Sequence, residues 1–139
     1  MSKFFYKVAP HTTVKFAAPA AAGSYEPGDM VMHDPATGQV LPLTASTDAG
    51  LCAAGVVTSG QTVAAGEPLE YEKGLFALSG ALDAAAHNSL VYFDGSDTAF
   101  AQTAAEGKVV GGRYRGKVSG RSPFEHVIEI GYVVSGTLV

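Results

Sequence analysis

Turn signals recur so often along this chain that no amphipathic helix of useful length fits between them. "GDMVMHDPATGQVLPL" runs strand, turn, strand, with Pro35 pre-setting φ and Gly38 supplying the left-handed position of the turn "DPATG". "GEPLEYEKGLFALSG" repeats the idea around "EKG", and "NSLVYFDGSDTAFAQT" repeats it around "DGSD". The flanking segments are short and rich in Val, Leu, Tyr and Phe, so three hairpins with three- to five-residue loops are expected. The copies differ in sequence and drift in period, so this is not a repeat protein.

A second pattern lies between the hairpins. In "CAAGVVTSG", "KVVGGRY" and "VIEIGYVVSG" a glycine interrupts a small or β-branched apolar run. Glycine inside a strand marks a bulge, a bend or the close approach of another backbone, and such kinks let a small sheet curl. The strongest strand is "HVIEIGYVV", with His126, Ile128 and Ile130 on one face and Val127, Glu129 and Gly131 on the other. Helical candidates are confined to "STDAGLCAA" and "GALDAAAHN", each good for a turn or two. The expectation is a mainly β, single-domain small barrel or sandwich of short hairpins, with one or two short helical turns. The length of 139 residues suits one domain.

The first sixteen residues, "MSKFFYKVAPHTTVKF", stand apart: four aromatics, three lysines and no acid. Aromatics are costly to leave wet, so this arm is expected to lie against the protein's own body or against another chain. "AAPAAAGS" behind it reads as a hinge, which divides the chain into an extended arm and hinge at 1–24 and a β domain at 25–139. Fully extended, the sixteen residues would reach about 50 Å.

Charge is unevenly spread around a net value of −4. The arm is basic, residues 17–107 hold eleven acids against Lys73 alone, and residues 108–139 hold five basic residues against Glu125 and Glu129. Basic ends on an acidic body fit docking to an acidic partner or pairing between copies. The densest basic stretch, "GGRYRGKVSGR", interleaves Arg113, Tyr114, Arg115, Lys117 and Arg121 with glycines. It reads as a mobile loop for an acidic protein surface; a merely solubilising hairpin and a single-strand nucleic-acid binder are the alternatives. No nucleic-acid partner is expected, because the basic balance is weak.

Catalytic patterns are missing from the sequence. There is no phosphate-binding loop and no G-x-S-x-G elbow. His11, His33, His87 and His126 are isolated, so no metal site and no cofactor are expected. Glu67, Glu70 and Glu72, and Asp94 and Asp97, flank turns or alternate with apolar residues in the manner of a solvated face. Cys52, the single cysteine, sits in apolar "GLCAAGVV" and reads as a small buried hydrophobe. No secretion signal or membrane span is expected, since the longest small-apolar run is broken by Pro19. The chain is therefore expected not to be an enzyme.

The order "YEPGDMVMHDPATGQVLPLT", "GLCAAGVVTSGQTVAAGEPLEYEKGLFALSG", "LVYFDGSDTAFAQT" and "VVGG" resembles the tailed-phage capsid cement or head decoration proteins over residues 25–112. The final "RYRGKVSGRSPFEHVIEIGYVVSGTLV" and the long aromatic arm depart from that pattern. The resemblance implies a virion structural protein, made in the host cytoplasm, that binds the outer surface of an assembled capsid. It implies the major capsid protein and sister copies, as a homotrimer, as partners. The contact residues expected on the arm are Phe4, Phe5, Tyr6, Lys7, Val14 and Phe16, and on the basic stretch Arg113, Tyr114, Arg115, Lys117 and Arg121. A small-ligand or carbohydrate-binding β domain of a virion is the alternative, although the chain has no Trp.

Overall fold

A computed structural model describes residues 6–7, 12–34, 36–43, 52–78, 82, 85–93, 100–101, 109–120 and 125–132. Within them the chain forms β1 (Tyr6–Lys7), β2 (Thr13–Pro19), β3 (Gly23–Tyr25), β4 (Met30–His33), β5 (Val40–Pro42), β6 (Gly55–Val56), β7 (Gln61–Val63), β8 (Pro68–Leu78), β9 (Leu90–Phe93), β10 (Phe100–Ala101), β11 (Val109–Lys117) and β12 (His126–Ile130). One sheet has the order β10-β9-β11-β12-β8-β6-β4-β5, with β1 and β2 also paired to β8, and β3 and β7 form a separate ribbon.

The sheet is not flat. Met30 and Met32 of β4 share one apolar cluster with Val91 of β9, Tyr114 of β11, Ile128 and Ile130 of β12, and Phe76 and Leu78 of β8. In a flat sheet β4 and β9 would lie five strand spacings apart, roughly 24 Å. One shared core therefore requires the sheet to curl on itself, and the fold is a half-barrel around these side chains, mainly β as expected. The opposite face carries a second cluster, in which Val31, Val40, Leu69 and Tyr71 pack with Ala20 and Val57 beneath Tyr25 and Val63 of the small ribbon.

The first hairpin follows the sequence reading: β4 and β5 pair antiparallel, and Gly38 has φ +75°. Asp34 organises the turn, accepting from the Ala36 amide and the Thr37 hydroxyl. β9 and β10 also pair antiparallel, although the "DGSD" turn between them lies outside the described residues. The second expected hairpin does not form. β8 runs unbroken through "EKG" for eleven residues. Gly74 adopts φ +143°, and a Cβ there would lie 2.1 Å from the Thr12 carbonyl oxygen. The glycine answers the close approach of the N-terminal segment rather than a reversal of direction.

The other strand glycines behave as expected. A Cβ on Gly55 would strike the Tyr71 ring, and Gly112 sits at a register shift between β11 and β9. Most of "STDAGLCAA" and four residues of "GALDAAAHN" lie outside the described residues; the described parts, 52–54, 82 and 85–88, are not helical.

The arm finds its partner within its own chain. Tyr6 and Lys7 pair with Ala77 and Phe76, and Thr13 through Pro19 pair in register with Gly74 through Pro68. Residues 17–24 do not act as a hinge. Ala17–Pro19 belong to β2, and Ala20 is wholly buried, donates to Glu67 O, accepts from Gly66 N, and bridges Val40. Ala20 belongs to the second core.

Candidate functional site: an exposed edge with a cation at its centre

β2 differs from the strand it pairs with. Thr13 through Ala17 are exposed or half-exposed on both faces, and among the described residues no strand pairs with its outer edge. The exposed large hydrophobics among the described residues are Val14 (53 %), Phe16 (38 %) and Tyr132 (50 %). They gather in one place. Val14 lies directly across from Lys73 and Phe16 across from Tyr71, which puts Val14 and Phe16 on the face of β8 that carries Lys73. Phe16 stacks on Tyr71, with ring centroids 6.1 Å apart and planes 20° from parallel.

Lys73 occupies the middle of this patch. Its Nζ lies 4.8 Å from the centroid of the Phe16 ring and 5.9 Å from that of Tyr132. Gly131 makes the arrangement possible: it has φ +102°, and a Cβ would sit 2.6 Å from Lys73 Cγ. Among the described residues no carboxylate pairs with Lys73. Cys52, half-buried, feels this cation: burial pushes its thiol pKa up and Lys73 opposes the rise in part. The net direction is upward, so the thiol stays protonated near neutral pH.

The opposite face of the same edge is held by a buried carboxylate. Glu72 is 4 % exposed. Its Oε1 accepts from Thr13 Oγ1 at 2.7 Å, and its Oε2 accepts from the Thr58 hydroxyl. One side chain thus ties the start of β2 and the segment after β6 to β8. This corrects the reading of the glutamate cluster as a solvated face: Glu67 and Glu70 are exposed, but Glu72 is sequestered by two hydroxyls. No local signal marks this, since Thr13 is 59 residues away and Thr58 is 14.

The basic stretch is a strand rather than a loop as far as Lys117. Arg113 through Lys117 belong to β11, paired with β12. Tyr114 turns into the core and hydrogen-bonds His126 Nδ1 at 3.0 Å, which takes it off any contact surface this strand offers. Arg115 bridges Glu129 at 2.8 Å and also bonds the Asn88 side chain, while Arg113 donates to Asn88 O at 2.9 Å. Asn88 itself has φ +70°, a left-handed position that Asn tolerates. Arg113 and Lys117 remain exposed, and Arg121 lies outside the described residues. So do Phe4 and Phe5, while Tyr6 and Lys7 are described as backbone only.

Of the histidines, His33 ends β4, His87 is in a turn and His126 is in β12, whereas His11 lies outside the described residues. Among the described residues no group of three His, Cys, Asp or Glu could hold a metal ion. No helix among them is long and apolar enough to cross a membrane. Compared with family models, characterised proteins and solved structures, the chain matches none.

Proposed function

We propose that this protein is a virion structural protein that binds the outer surface of an assembled tailed-phage capsid and cements neighbouring coat subunits, working with sister copies as a homotrimer. The observation that carries this reading is the β2 edge. Among the described residues, an exposed apolar patch and a strand edge with no partner lie together on a sheet whose β4, β8, β11 and β12 contribute side chains to the cores. Exposed long edges invite pairing with another chain and are otherwise blunted or covered. An edge of this kind can take up an extended segment of a neighbour, with backbone hydrogen bonds giving affinity and alternate side chains giving specificity. The order of strand motifs over residues 25–112, which resembles the capsid cement proteins, points to the same role.

Cementing needs no single strong contact. Each copy that touches two or three coat subunits gains avidity from simultaneous engagement, and modest individual contacts suffice. The acidic body and the cationic residues of the patch and of β11 give the contacts a preferred orientation.

The test is titration of the purified chain onto expanded heads assembled without it. Saturable binding at a fixed copy number per head, with a raised temperature of head disruption, is expected. Failure to bind heads, or equal binding to unassembled coat subunits, would overturn the proposal.

A further inference from the structure

We infer that the Phe16–Lys73–Tyr132 cluster is a recognition spot for a carboxylate flanked by apolar side chains on a partner protein. The identity of that partner as a coat subunit rests on the function proposed above; the site itself does not.

The cluster presents a cation framed by apolar surface. Lys73 is held by packing against Gly131, and its ammonium lies over two half-exposed rings rather than beside an acid. Rings satisfy an ammonium only in part, because the cation–π attraction replaces one side of its hydration and none of its hydrogen bonds. An arriving carboxylate would supply those bonds, charge-assisted and therefore strong. Val14, Phe16 and Tyr132 around it would exclude water from the pair, the arrangement that makes an interfacial contact count.

The surrounding charge has the matching sign. Glu129 lies on the same sheet face as Lys73, but Arg115 already occupies its Oε1, and Arg113 stands directly across from it in register. Lys73, Arg113 and Arg115 thus face outward against one paired acid, on a chain that is acidic overall. Among the described residues the exposed acids are Glu26, Glu67 and Glu70, whereas the exposed large hydrophobics, Val14, Phe16 and Tyr132, all belong to the cluster itself. The described surface of a second copy therefore offers no carboxylate framed by large exposed apolar side chains.

The test uses the full chain, isotopically labelled, titrated with acetyl-Leu-Glu-Leu-amide and with its Gln counterpart. Amide signals of Val14, Phe16, Lys73 and Tyr132 should shift with the Glu peptide, and the Gln peptide should bind about tenfold more weakly. Lys73→Met, which keeps the apolar stem, should erase the difference between the two peptides, and Lys73→Glu should abolish binding of the Glu peptide. Shifts scattered over the surface, equal affinity for the two peptides, or discrimination that survives Lys73→Met would overturn the inference. So would the same shifts appearing on concentrating the protein alone, which would make a second copy the occupant. Head binding separates the two proposals. Wild-type protein that takes the peptide at the cluster but ignores heads leaves the site and removes the capsid. Heads that bind wild type and Lys73→Glu equally, with no peptide effect, leave the capsid and remove the site.

Discussion

β8 and β2 are hydrogen-bonded neighbours over seven residues, yet they live in different environments. β8 has strands on both edges and contributes to both cores: Phe76 and Leu78 to one, Leu69 and Tyr71 to the other. β2 has one partner among the described residues and keeps Val14 and Phe16 in contact with water. Backbone pairing alone therefore does not bury a strand. What holds β2 is its ladder to β8, the Thr13–Glu72 clip and the buried Ala20 at its end. Val14 is more than half exposed, and Phe16, though it stacks on Tyr71, keeps part of its ring open, which leaves both available to a contact.

The contrast can be broken most strongly from the β8 side. Phe76 is wholly buried in the first core. Phe76→Ala should cost about 3–5 kcal/mol in urea unfolding, a large part of the stability of a domain this size. Gly55→Ala comes next, because its Cβ would lie 2.5 Å from the Tyr71 ring and 2.8 Å from Glu72 O. A loss of about 1–3 kcal/mol is expected from the forced shift in β6.

Glu72→Ala sharpens the comparison, since it cuts the clip between the two strands. Two hydroxyls lose their acceptor, at a cost of about 1–3 kcal/mol. Hydrogen exchange should then quicken first at the β2–β8 ladder, while β12 stays protected. The smallest change is expected at the edge: Val14→Ser should stay within about 0.5 kcal/mol of wild type.

Alkaline titration adds a check on the second core. Burial raises the pKa of Tyr25 and Tyr71 above the ordinary tyrosine value of 10.0. Above pH 10 the unfolded chain gives up these protons before the folded one does, so folding stability falls as the pH rises through the raised values. Tyr71→Phe should flatten that fall.

How legible this was from sequence depended on the distance over which each signal acts. The β4–β5 hairpin was readable because its turn chemistry is local: Asp34 and Gly38 set it within five residues. The strand glycines were readable as kinks, since Gly55, Gly112 and Gly131 all sit where another chain segment crowds them. "EKG" misled because a glycine after charged residues has the same composition in a turn as in a strand opposed by a close carbonyl. The "hinge" misled for a related reason, as small residues serve flexible linkers and tight cores alike; Ala20 is core. The arm's attachment, the burial of Glu72 and the gathering of Phe16, Lys73 and Tyr132 depend on pairings across the chain that no local pattern encodes.

The central claim is that the apolar face of β2 serves a partner and not the fold. Its most direct test is one double variant, Val14→Ser with Phe16→Ser, followed in parallel by thermal unfolding and by binding to expanded heads. The account predicts an unfolding temperature within a few degrees of wild type and loss of head binding by about tenfold or more. A variant that unfolds, or one that binds heads as tightly as wild type, would contradict it.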